Sequence, residues 1–160
     1  MAEASRRRAS RSSRQQGFTL IELMVVVLII AILIAVAIPM FLGARTRALD
    51  RAAQTRLRVA LTAEKTYYAE RQAYTQTAAE LLAEEGSLAL DAAADANPTK
   101  GSIAYALVGN VVVLGTQSGS GTCFYLKDNP TGSGTRYGSD GSAPCPKPSA
   151  KEPTITLNQW

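Results

Sequence analysis

An α+β fold, with one long N-terminal helix packed against a small antiparallel sheet, is predicted by three features of this sequence. An apolar run without any charged residue extends from Leu23 to Ala44. Beyond it, Leu49, Ala53, Leu57, Ala60, Leu61 and Tyr67 or Tyr68 recur at helical spacing, with Arg47, Arg51, Arg58 and Lys65 mainly on the other side. From Ile103 onward the apolar residues alternate, in short runs separated by turn-forming residues. A helix that is apolar first all round and then along one stripe, followed by short strands, makes a layered helix-on-sheet arrangement.

The helix is expected to continue to about Arg71. Ala, Leu, Arg and Glu favour it, and no Gly or Pro falls between Ala44 and Glu85. At about 1.5 Å per residue, Leu23 to Ala44 suffices for a hydrocarbon core roughly 30 Å thick. Pro39, near the far end of that run, is expected to kink the helix or loosen one turn. A short helix should follow near Ala78 to Glu85, ended by Gly86. Ser87 to Gly101 reads as a loop, with Asn97-Pro98 forcing a non-helical turn. Ile103, Tyr105 and Leu107 then form a strand, Gly109-Asn110 a tight turn, and Val111 to Leu114 the returning strand. Cys123 to Lys127 is a third strand. Asn129 to Gly141 reads as mostly loop with a short strand at Thr135 to Tyr137, and Thr154 to Leu157 is the last strand candidate. Tyr67, Tyr68 and Tyr74 are expected to pack helix against sheet; a surface aromatic patch is the alternative.

A length of 160 residues suits one modest domain plus appendages. The part from Arg45 onward can bury a core but gains from a covalent staple. There is no histidine, which excludes Ser-His-Asp triads, Cys-His dyads and every His-containing metal site. Gly119-Ser120-Gly121 and Gly132-Ser133-Gly134 do not complete a phosphate-binding loop, and Asp91, Asp95, Asp128 and Asp140 lack calcium-loop spacing. No catalytic, cofactor or metal site is expected, and the chain is read as not an enzyme. The two cysteines, Cys123 and Cys145, are poorly spaced for zinc and well suited to one disulfide. Closing that loop stabilises by about 3 kcal/mol on chain-entropy grounds and places the domain outside the cytoplasm. Two buried free thiols are the alternative.

The net charge of +4 is local. Arg6, Arg7, Arg8, Arg11 and Arg14 oppose only Glu3 before Gly17, and the remainder of the chain balances. Such a basic, Ser-rich segment cannot bury apolar area. Arg45 to Arg58 could meet DNA or lipid headgroups; the favoured reading is a solvated helix face, or pairing with acids of neighbouring subunits.

Gly17-Phe18-Thr19-Leu20-Ile21-Glu22 places a Gly, an aromatic residue and a carboxylate between a basic leader and a membrane-length apolar run. This arrangement resembles the class III signal of type IV pilins and type II secretion pseudopilins. Leu23-Met24-Val25-Val26-Val27, Ala37-Ile38-Pro39 and Tyr67-Tyr68-Ala69-Glu70-Arg71-Gln72-Ala73-Tyr74 also fit. The likeness covers about Gly17 to Tyr74 and is only architectural afterwards. It implies the type IV pilin fold, with residues 1–17 a cleaved leader, 18–44 the transmembrane and filament-core half of the helix, and 45–160 an exported α+β domain with a disulfide-bounded C-terminal loop. A prepilin peptidase would cut between Gly17 and Phe18 and the new Phe18 amine would be methylated. The precursor would sit as a single span in the cytoplasmic membrane. It would then polymerise into an extracellular filament for adhesion, motility or DNA uptake, through an inner-membrane assembly platform and a separate motor ATPase. At the position where relatives often carry Gly this chain has Ala31, which puts local melting of the helix before Pro39 in doubt.

Glu22 is the anomalous residue. A carboxylate in hydrocarbon costs about 2.5–3.5 kcal/mol on insertion scales. An amine freed at Phe18 lies about 6 Å along the same helix, and the resemblance gives the carboxylate a role in registering each subunit against the last. Solvation at the headgroup boundary is the alternative. Three other functions compete. A type II secretion pseudopilin, forming a periplasmic pseudopilus, shares the fold, although the cysteine pair leans toward a pilin. A membrane-anchored exported binding domain would never polymerise. A secretory signal cut after Ala35-Val36-Ala37 would put Glu22 inside its apolar region and discard half of a continuous helix.

Overall fold

The computed structural model describes residues 17–75, 77–91, 95–141, 144–158 and 160. The leader residues 1–16 lie outside the described residues. Helix α1 runs from Leu20 to Arg71 and α2 from Ala78 to Glu84. Strands β1 (Ala104–Val108), β2 (Val111–Gln117), β3 (Cys123–Asn129) and β4 (Gly134–Asp140) follow, then α3 (Pro148–Lys151) and a 3-10 turn at Glu152–Thr154. The strands form one antiparallel meander in the order β1-β2-β3-β4. This is the α+β arrangement that the sequence predicts, with α1 ending at the expected residue.

By contacts the chain divides into two compact units, one ending at Phe41 and one from Leu42 to Trp160. In the first, the large apolar side chains from Phe18 to Phe41 are exposed. The helix runs through Pro39.

The second unit is built on the two faces of the sheet. On one face Ala53, Leu57, Ala60, Leu61 and Ala63 of α1 and Leu81 of α2 cluster with Tyr105, Val112, Leu114, Phe124 and Leu126. Tyr67 and Tyr74 are buried, and Tyr68 packs against this cluster, as expected of aromatics between helix and sheet. On the other face Val113, Cys123, Tyr125, Cys145 and Ile155 form a smaller cluster. Burial of both faces accounts for the unbroken apolar run Val111 to Leu114, which alternation alone would not produce. Gly109, at φ +63, opens the two-residue turn between the paired Val108 and Val111, the position where a primed hairpin turn demands glycine.

Two expected elements differ. Thr135 to Tyr137 is part of a full strand, β4, paired with β3 from Asn129↔Gly134 to Cys123↔Asp140. An edge strand needs only its backbone ladder, so Gly, Ser and Thr do not prevent it, and Gly138 lets Ile155 approach closely. Thr154 to Leu157 is not a strand. Pro153 has no N–H to donate to a ladder, and only Leu157 bridges to Tyr137, through Tyr137 N–H donating at 2.8 Å and Leu157 N–H donating at 3.0 Å. The short helix α3, with proline at its first turn, was not expected.

Cys123 and Cys145 form a disulfide with Cα atoms 5.6 Å apart. It fastens the C-terminal segment over β3, where Tyr125 O–H also donates to the Pro146 carbonyl at 2.8 Å. Replacing both cysteines by serine is expected to lower unfolding stability by about 3 kcal/mol, read as a shift in the urea midpoint of the purified chain.

Candidate functional site

Gly17, Phe18 and Thr19 precede the first helical residue, and all three are exposed. Nothing lies within 4 Å of where a side chain on Gly17 would begin. The Gly17–Phe18 peptide bond therefore sits in open, non-helical backbone, the geometry a protease needs. Phe18 is 86% exposed.

Glu22 lies one turn further on, and its partners are local. The Thr19 amide donates to Glu22 Oε2 at 2.8 Å and the Thr19 hydroxyl donates to the same oxygen at 2.7 Å. In return the Glu22 amide donates to Thr19 Oγ1 at 3.2 Å. This is a reciprocal capping box, in which an N-terminal Thr and a Glu three residues on satisfy two otherwise orphaned backbone donors. The sequence reading gives Glu22 a freed Phe18 amine, on its own or a neighbouring copy, or solvation at the headgroup boundary, and no partner within its own turn. The spacing Thr-x-x-Glu carried the signal for the cap and was not used. The Thr-x-x-Glu spacing recurs at α2 with a different closure: the Glu80 amide donates to Thr77 Oγ1 at 3.3 Å and the Thr77 hydroxyl to Glu80 Oε2 at 3.0 Å, while the Thr77 amide donates to Thr75 Oγ1 at 3.2 Å.

The cap changes the energetics of the carboxylate. Two donors to Oε2 satisfy part of what water would otherwise supply, which lessens the cost of placing Glu22 in apolar surroundings. The negative charge also lies at the helix N-terminus, where the backbone dipole favours it. Around it, Phe18, Ile21, Val25 and Val26 expose an apolar surface.

The remaining candidates lie elsewhere. Pro39 is inside α1, and the cysteine pair is bonded in the sheet unit. Among the described residues, no three acidic or cysteine side chains gather as a metal site would require.

Among the described residues two acids are buried, which the sequence reading did not anticipate. Asp128 on β3 accepts from the Tyr74 and Thr135 hydroxyls and pairs with Lys65 Nζ at 3.2 Å. Burial alone would raise its pKa, but these donors and the Lys65 charge hold it below the ordinary value. Glu64 is fully buried on the apolar stripe of α1, four residues after Ala60. The Thr75 amide donates to its Oε2 at 3.1 Å, while Oε1 has no partner among the described residues. Burial, reinforced by the Glu80 charge and opposed by the Thr75 amide, pushes its pKa from 4.5 up to about 7. Its helical register with Ala53, Leu57, Ala60 and Leu61 was the available signal.

A family profile described as Prokaryotic N-terminal methylation motif matches residues 12–38. Over 75 residues the chain is 45% identical to a Myxococcus xanthus protein named Type IV major pilin protein PilA, covering 46% of this chain and 34% of the relative. Over 67 residues it is 45% identical to a Thermus thermophilus protein named Type IV wide pilus major component PilA4, covering 42% of this chain and 51% of the relative. The matches thus span between about a third and about half of the length of these curated relatives. They support the resemblance to type IV pilins read from the N-terminal motif. No solved structure matches the chain.

Two outcomes are expected from these sites. Thr19→Ala removes the cap hydroxyl and should cost about 1 kcal/mol in the first turn, seen as roughly fivefold faster hydrogen exchange at the amides that follow. Folding raises the Glu64 pKa, so the native state holds the proton more tightly than the unfolded one. The associated stability is complete below about pH 4.5 and is lost as pH rises through about 7. The change is about 3 kcal/mol, and Glu64→Gln should flatten it in a series of urea melts across that range.

Proposed function

We propose that this chain is a structural subunit of a type IV pilus, made as a precursor and polymerised into a helical filament. The observation that carries the reading is the head of α1. An open Gly17–Phe18 bond and a capped Glu22 stand at the start of a helix whose large side chains from Phe18 to Phe41 are all exposed. A surface that apolar requires a non-aqueous partner. A bilayer before assembly, and the same segment of other copies afterwards, are both apolar enough to serve.

In this reading a prepilin peptidase cuts after Gly17 and the new Phe18 amine is methylated. Two changes then meet at one point. The basic leader that opposes burial is gone, and a cationic amine appears beside the Glu22 carboxylate. Glu22 keeps its capping bonds within its own helix and offers its free lone pairs to the amine of an adjacent copy. The pair is charge-compensated in a medium where either group alone is costly. The unit from Leu42 to Trp160 forms the filament coat, and its disulfide suits an exported location. The chain supplies no nucleotide-binding motif, so the work of extraction from the membrane falls to a separate motor. No catalytic role is assigned to any residue.

The test has two parts. Mass spectrometry of the mature protein should find its N-terminus at a methylated Phe18; a chain beginning at Ile38 would establish a secretory signal instead. Glu22→Ala should abolish filaments seen by electron microscopy while leaving the urea midpoint of the sheet unit unchanged, whereas normal filaments from that variant would refute the assembly role.

A further inference from the structure

We infer that Arg45, Arg47 and Arg51 form a collar for anionic phospholipid headgroups, holding the unassembled subunit at the membrane surface. The inference rests on the proposed membrane-stored precursor and adds the lipid class that it meets. All three side chains are exposed and follow directly on the uncharged run that ends at Ala44. By helical rise they lie within about 10 Å of its end, roughly the depth of a headgroup layer plus the reach of an arginine. The Arg47 guanidinium turns back along the helix, with Nη1 3.5 Å from where a side chain on Gly43 would begin. That brings its charge to the level of the last apolar turn.

The charge accounting of the sheet unit excludes an internal partner. Asp50, the nearest acid in sequence, accepts from the Ser120 hydroxyl at 2.5 Å. Asp128 pairs with Lys65, Asp140 with Lys151 and Glu152 with Lys127. Among the described residues no acid stands within ion-pair distance of Arg45, Arg47 or Arg51. Of the two arginines further along, Arg58 stacks over the Trp160 ring at 5.3 Å. Arg56 lines a groove with Ser87 and Gly101 and lies about 18 Å by helical rise beyond Ala44, too far along to reach a headgroup layer. Arg45, Arg47 and Arg51 are thus three guanidinium groups without an ion pair among the described residues, next to the end of the uncharged run. A layer of phosphates continuous with the hydrocarbon offers all three a partner at one level, and guanidinium binds phosphate with paired donors.

The full chain would be reconstituted into vesicles of phosphatidylcholine alone and of phosphatidylcholine with phosphatidylglycerol. Lipids retained on the protein after mild detergent extraction would be counted by native mass spectrometry. The wild type is expected to retain phosphatidylglycerol over phosphatidylcholine by about tenfold relative to the bulk ratio, and to lose that preference in high salt. R45Q/R47Q/R51Q should insert equally well and lose most of that preference, keeping only what the leader arginines common to all variants contribute, while R56Q/R58Q should behave as wild type. Equal retention of both lipids by the wild type, or an unchanged preference in the triple variant, overturns the collar and leaves the pilin reading standing. A DNA duplex that binds the inserted wild type but not the triple variant, with no lipid preference in either, would assign the arginines to nucleic acid and also overturn it. Failure of the wild type to insert into either vesicle would remove the membrane reading itself, and the collar with it.

Discussion

Leu57, Ala60 and Leu61 meet Val112, Leu114, Phe124 and Leu126 in a buried apolar layer, and that layer converts a helix and a meander into a domain. A four-stranded sheet needs a partner surface to bury its hydrophobic face. The helix supplies the missing surface. Its small residues Ala53, Ala60 and Ala63 sit at the contact and let backbone approach backbone. The same helix carries a wholly different surface before Leu42, where size and greasiness are kept and burial within the subunit is absent. One continuous hydrogen-bonded element thus carries two kinds of surface, and its sequence changes character between them.

Much of this was legible because period is a direct consequence of geometry. The stripe from Ala53 to Leu61 could be read from spacing alone, as could the alternation at Ile103, Tyr105 and Leu107. Where reading failed, side-chain pattern was a poor proxy for backbone. β4 is held by its ladder to β3 and carries almost no apolar signal. Thr154 to Leu157 has the β-branched composition of a strand but follows a proline and turns Ile155 into the second core. At the site, the motif from Gly17 to Glu22 stood out by composition, yet the bond that Thr19 makes to Glu22 was overlooked because attention went to the charge and not to the orphaned amides of the helix start.

Glu64 and Asp128 show two outcomes for a buried acid. Asp128 gathers two hydroxyls and an ammonium, so it stays ionised and ties α1 to β3 and β4. Glu64 has one backbone donor and a neighbouring negative charge at Glu80, so it holds its proton more tightly. Partner count, not depth, separates them. Both accept from the Tyr74–Thr75 connection that follows α1, Asp128 fixing it to β3 and Glu64 to the helix.

The bond between Cys123 and Cys145 also imposes an order in time. Val113, Tyr125 and Ile155 form the far layer of the sheet, and Ile155 belongs to a tail that is covalently fastened only once two thiols have been oxidised. A newly made chain in a reducing compartment can assemble the helix–sheet layer, since none of those residues depends on sulfur. Its far layer stays without its fastening until an oxidant is met. Maturation would therefore proceed from one side of the sheet to the other, with the last step waiting on an oxidant.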